Sequence, residues 1–218
     1  MPASVLTRMM PSSRTLAGLA AWCVLAGATT VAIAVIASQG AFYRGYVSEA
    51  GVVGQPYWIV YRIGILGLAA GLVLLAGAMR STLRSAASLL LVSGLLAGAS
   101  GSISCSEGCP LPPFQTPTIR DLFHGGTSVA GVALCALAVL LVAVFGPAGG
   151  LRRASRVATA PIVAAGLVNA YTLAFVGRGE MTGVVERALL VLMVAWCLAA
   201  AYALSRSGRD VSPAGSVI

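Results

Sequence analysis

The sequence predicts an all-α fold, a polytopic bundle of six transmembrane helices, and three observations carry that prediction. The chain is 58% hydrophobic and 9% charged, with a mean hydropathy of +0.93. A soluble domain carries about 25% charged residues, so this chain needs lipid as part of its solvent. Six apolar stretches recur along it, each close to the ~20 residues a helix needs to cross a hydrocarbon core. The arginines, finally, alternate between the segments that join those stretches.

The first stretch, 16–38, follows Arg8 and Arg14. It is too long for the apolar region of a signal peptide and reads as an uncleaved anchor. Trp22 precedes Cys23, where a lipoprotein cleavage needs a small residue. The later stretches are 57–79, 86–103, 123–145, 157–176 and 184–204, the third being the shortest and richest in small residues. No polar run is long enough for a second domain. The 218 residues therefore form a single transmembrane domain with short polar tails, 1–15 and 205–218; the segment after 206 reads as disordered.

Orientation follows from the arginines. Arg8, Arg14, Arg80, Arg84, Arg152, Arg153, Arg156, Arg206 and Arg209 fall on one side, and Arg44, Arg120 and Arg178 on the other. Basic loops stay inside, so both termini are expected in the cytoplasm of a cell whose cytoplasmic (inner) membrane holds the protein. All fourteen basic residues are Arg and none is Lys, a pattern of GC-rich bacterial coding. The net charge of +8 is scattered over short loops with no soluble platform, which excludes nucleic acid and leaves the bilayer as the partner. Tyr43, Tyr46, Tyr57, Trp58 and Tyr61 gather near the outer ends of the first two spans, as an interfacial belt would. Gly67 with Gly71, and Gly94 with Gly98, have the spacing that lets membrane helices pack closely.

The stretch from Ser104 to Ser128 differs from the rest. It holds Cys105, Cys109, four prolines, Glu107, Asp121 and the only histidine, His124. Cys105 and Cys109 sit in an outer, oxidising loop with Gly108 between them, which suits a disulfide. The rival is a redox or metal-ligating pair, but one histidine and no other nearby thiol leave a tetrahedral zinc site short of ligands, so no metal and no cofactor are assigned. Cys23, Cys135 and Cys197 read as small core residues. Thr118 and Asp121 form a variant of the capping box at the start of the fourth span. His124, three residues on, shares a helix face with Asp121; the two form either a cap beside an interfacial histidine or an acid/base pair.

Arg62, Glu186 and Arg187 carry charge into span ends, which is costly without a partner or snorkelling. Arg62 is expected to pair with Asp121 or Glu186, with His124 lining the same outward pocket. Asn169, in mid-span five, makes an interhelical hydrogen bond or contacts a substrate or ion. The single histidine cannot ligate the paired haems of bundle cytochromes, and no nucleophile elbow, phosphate-binding loop or HExxH zinc motif is present.

CSEGCPLPP followed by DLFHGGTS, and the closing GVVERALLVLMVAWCLAAAYAL, resemble a bacterial and archaeal membrane family, domain of unknown function 998, over roughly residues 57 to 204. The resemblance implies six spans, with a Cys pair before the helix that carries Asp and His; it implies no activity.

The reading is a non-catalytic multi-pass membrane protein. An outward-facing polar pocket (Arg62, Asp121, His124, Glu186 and, deeper, Asn169) would bind a lipid headgroup, a small ligand or a partner protein. The alternatives are an outer-leaflet enzyme using Asp121 and His124 as acid and base, and a small transporter using Asn169 and Arg62.

Overall fold

In lipid an unpaired backbone amide costs several kcal/mol, so long apolar segments close their hydrogen bonds within themselves as helices. The computed structural model describes residues 11–38 and 44–206; these are 80% helical and contain no strand. Six helices are long and apolar enough to cross a membrane: α1 Ser13–Ser38, α2 Trp58–Met79, α3 Arg84–Ser102, α4 Ile119–Phe145, α5 Gly150–Phe175 and α6 Glu180–Arg206. A short 3-10 turn, Val47–Gly51, lies between α1 and α2. Arg8, Tyr43, Arg209 and most of the two tails lie outside the described residues.

Each helix packs against its neighbours in sequence, and α6 closes the ring against α1. The main core cluster is built of small and aliphatic residues around Trp196: Ala17, Ala20, Val24, Leu75, Met79, Leu90, Val139, Val142, Leu189 and Trp196 are all nearly inaccessible. Large apolar side chains also face outward, including Trp22 at 71% exposed and Val157 at 72%, as they do where lipid is the solvent. Buried polar groups cross between helices. Ser93 Oγ donates to Gly131 O at 2.7 Å, joining α3 to α4, and Trp196 Nε1 donates to Ser155 Oγ at 2.9 Å, joining α6 to α5.

Glycines set the closest crossing. A Cβ on Gly27 of α1 would lie 2.7 Å from both Gly64 O and Leu68 N of α2, and Gly67 lies against Gly27 Cα. A Cβ on Gly71 would lie 2.6 Å from the Val24 side chain, and one on Gly94 would lie 2.9 and 3.0 Å from Val73 and the Ala69 carbonyl. Gly98 has only ordinary contact with Ala69. Gly27 and Gly64 extend the expected packing seam and form its tightest point.

Two expectations are corrected. The fifth helix begins at Gly150, so Arg152, Arg153 and Arg156 form its first turns and not a loop. The reason is local: Arg152 donates to Ala143 O and Val144 O at 3.3 and 2.7 Å, and Arg156 donates to Ala143 O at 3.2 Å. They satisfy carbonyls that the last turn of α4 leaves without helical partners. Nor do the tyrosines form one belt. Tyr46 and Tyr61 are buried: Tyr46 packs with Val52, Cys105 and Cys109, while Tyr61 lies against Gly51. Tyr57 alone among the described tyrosines of that group is exposed.

Candidate functional site at the loop end

Two long connections, residues 44–57 and 103–118, lie over one end of the bundle, where the α5–α6 turn also sits. Among the described residues, the connections at the other end are the short turns α2–α3 and α4–α5. The loops are held in place by the charged residues the sequence places there.

The first loop is held by α6 and the turn before it. Glu186 Oε2 accepts from Val47 N at 3.0 Å, and Arg187 donates to Gly45 O at 3.0 Å. Arg178 makes a two-pronged ion pair with Glu49, both bonds 2.7 Å, and Glu49 also accepts from Tyr46 N at 2.9 Å. Gly45 adopts φ +73°, and Glu49 occupies the place where its side chain would stand, so only glycine serves there. The bond to Glu49 raises the Arg178 guanidinium above its ordinary pKa. Burial first, then nearby Glu186 and Glu49, raises the Tyr46 hydroxyl above 10.0. Arg44 and Glu180 add an exposed pair at 2.9 Å.

The second loop is held by α4 and α2. Asp121 accepts four bonds: from Ser106 N (2.6 Å), Ser106 Oγ (3.1 Å), Thr118 N (2.9 Å) and Thr118 Oγ1 (2.7 Å). The capping box is present, with Thr118 accepting from Asp121 N. Arg120 donates to Ser104 Oγ, and Arg62 donates to the carbonyls of Gly101 (3.1 Å) and Ser102 while stacking over Trp58. Cys105 and Cys109 are joined by a disulfide, and Ser48 Oγ donates to Cys109 Sγ at 3.3 Å, linking the two loops.

His124 is 7% exposed and sits beneath that disulfide. Its Nδ1 lies 2.8 Å from Ile103 O and 3.0 Å from Ser100 O. Carbonyls only accept, so Nδ1 carries a proton, and in the neutral ring Nε2 is the acceptor. Nε2 is buried and has no hydrogen-bond partner among the described residues. One nitrogen of this ring and the two sulfurs of Cys105 and Cys109 lie within 4.8 Å of one another, a set of atoms able to hold a metal ion.

Two clefts open between the loops. The larger, about 440 Å³, is lined by Val52, Gln55, Ser104, Ser106, Glu107 and Arg120, among others. The smaller, about 250 Å³, is lined by Glu49, Gln55, Glu107, Gln115 and Arg178 among others.

The sequence-selected residues thus reach the loop end but do not converge. Arg62 is paired with backbone carbonyls and with neither Asp121 nor Glu186, because the C-terminal carbonyls of α3 lie nearer to it. Asp121 and His124 form no hydrogen bond with each other; each is committed to different parts of the 103–118 connection. None of Arg62, Asp121, His124 or Glu186 lines either cleft. Asn169 lies on α5 and lines neither cleft, its Oδ1 buried without a partner among the described residues. Sequence reasoning passed over Glu49, Gln55, Arg120 and Arg178 as site residues. The available signal was the crowding of acids onto the side with few arginines.

Residues 6–203 match the family described as protein of unknown function (DUF998). No curated protein and no solved structure matches the chain.

Proposed function

The chain belongs to the DUF998 family, whose description carries no activity, and from that premise we propose that it is a non-catalytic binding protein of the membrane. Its loop end faces outward and takes a small polar ligand or lipid headgroup that bears both charges. The observation that carries this reading is the 440 Å³ cleft, which presents the exposed Arg120 and Glu107 together with Gln55 and the Ser104 and Ser106 region. That volume falls within the range of small-molecule sites, and a cation and an anion lining one cleft suit a zwitterion. Asp121 accepts from Ser106 and Thr118 and is not bonded to His124, which weakens the acid/base alternative. The arginine imbalance supports both termini lying in the cytoplasm.

The test is a thermal-shift titration of the detergent-solubilised full chain with phosphoethanolamine, phosphocholine and short-chain lipids carrying those headgroups. Stabilisation that Arg120→Ala and Glu107→Gln each abolish supports the reading. No stabilisation by any of these probes, or stabilisation unchanged in both variants, overturns it. Shifts with the lipids alone identify a headgroup bound from the bilayer, and shifts with the free compounds identify a soluble ligand. Reporter fusions at Gly149 and at the C-terminus, both active only with a cytoplasmic reporter, check the orientation.

A further inference from the structure

We infer that Cys105, Cys109 and His124 form a redox-gated site for a thiophilic metal ion, a monovalent d10 cation such as Cu(I). Three observations converge on it. Both sulfurs and one imidazole nitrogen lie within 4.8 Å of one another, and all three residues are buried. Among the described residues Nε2 of His124 has no hydrogen-bond partner although it is buried, and a buried acceptor left in that state is costly. Nδ1–H is tied to Ile103 O at 2.8 Å. Histidine ligands are held in this way, the second ring nitrogen donating to a carbonyl so that the tautomer and the ring orientation are fixed.

The donor set selects the ion. Two thiolates and one imidazole are soft and borderline donors. Zinc in a structural site takes four protein ligands, and this cluster supplies three, whereas a monovalent copper ion is satisfied by a trigonal S₂N set.

The disulfide closes the site, because both sulfurs are then committed to each other. Opening it takes two electrons from a dithiol. The Cys105–Cys109 bond breaks, each sulfur takes a proton to become a thiol, and the reductant leaves as its own disulfide. The ion then displaces the two thiol protons to solvent and binds both sulfurs and Nε2. Cys105 lines the 440 Å³ cleft, which gives reductant and ion an approach.

The experiment uses the full chain in detergent micelles under anaerobic conditions, once oxidised and once reduced with dithiothreitol and desalted. Each form is titrated with Cu(I), and separately with Zn²⁺, against a chromophoric chelator. The oxidised form keeps the thiols of Cys23, Cys135 and Cys197, so the difference between the forms isolates the loop pair. The expected result is one additional Cu(I) per chain on reduction, with an affinity at least about tenfold lower in His124→Gln, since even second-shell changes cost 10–100-fold. No gain on reduction, a gain unchanged in His124→Gln, or a gain for Zn²⁺ but not for Cu(I) overturns the assignment. Should His124→Gln fail to fold, X-ray absorption of the reduced wild-type chain with copper decides. A first shell of two sulfurs and one imidazole nitrogen supports the site, and a sulfur-only shell refutes it.

Discussion

Replacing Asp121 by alanine removes the acceptor of four hydrogen bonds at once. The hydroxyls of Ser106 and Thr118 can rotate toward other acceptors. The backbone N–H groups of the same two residues cannot. A buried N–H left unsatisfied costs about 1–3 kcal/mol, and this junction is only partly buried, so each is taken near the lower end. The N-cap itself survives, because Thr118 Oγ1 still accepts from the backbone N–H of residue 121. The two N–H groups together give roughly 2–4 kcal/mol. At roughly 2–4 °C per kcal/mol for a chain of this size, the helical unfolding transition in micelles should fall by about 5–15 °C. Hydrogen exchange at Ser106 and Thr118 should accelerate at the same time, while the α1–α2 interface keeps its protection. Asp121→Asn retains one acceptor oxygen and should lose about half as much. A stability for Asp121→Ala within about 0.5 kcal/mol of the parent, the ordinary range for surface changes, would refute the anchoring role. An undisturbed fold together with a lost catalytic turnover would restore the acid/base reading in its place.

Three further outcomes are expected. Gly27→Ala drives a Cβ to 2.7 Å from two backbone atoms of α2 and should cost about 1–3 kcal/mol by overpacking, whereas Gly18→Ala meets nothing within 4 Å and should be neutral or slightly stabilising, as unfolding titrations in mixed micelles will show. Glu49→Ala should destabilise more than Arg178→Ala, because Glu49 also accepts from Tyr46 N, and equal effects in thermal denaturation would contradict that. Alkylation of the denatured chain should add three groups before reduction and five after it, given the disulfide and the three free cysteines; five groups without reductant would show that the bridge is absent.

What the sequence made legible was whatever is local or compositional. Six helices follow from apolar run length, and the Thr118–Asp121 box follows from a spacing of three residues. The start of α5 was not legible, because Arg152 and Arg156 look like loop residues until the open carbonyls of α4 are placed beside them. Glu49 and Arg178 are 129 residues apart, and nothing in either neighbourhood announces the other. Arg62 shows the same limit in another form. Its place near a span end implied a need for a partner, but a guanidinium donates to carbonyls as readily as to carboxylates, and which is nearer depends on where α3 ends. The disulfide pair was legible as chemistry, while the unpartnered nitrogen of His124 beneath it emerges only when α4 is set against the end of α3.

The closure of the ring between α6 and α1 makes the order of connections less binding than the order of neighbours. All three connections at the loop end return the chain toward the short turns, so α1 begins and α6 ends at that opposite face, side by side. A short linker joining those two ends would turn the chain into a closed circuit of six antiparallel helices in which no contact need change. New termini could then be opened in the α4–α5 turn at Gly149, where a Cβ meets nothing within 4 Å. Such a permuted chain would begin with α5 and finish with α4, yet it would keep both long loops uncut and facing each other. The bundle is in this sense a cycle that the described chain enters at α1.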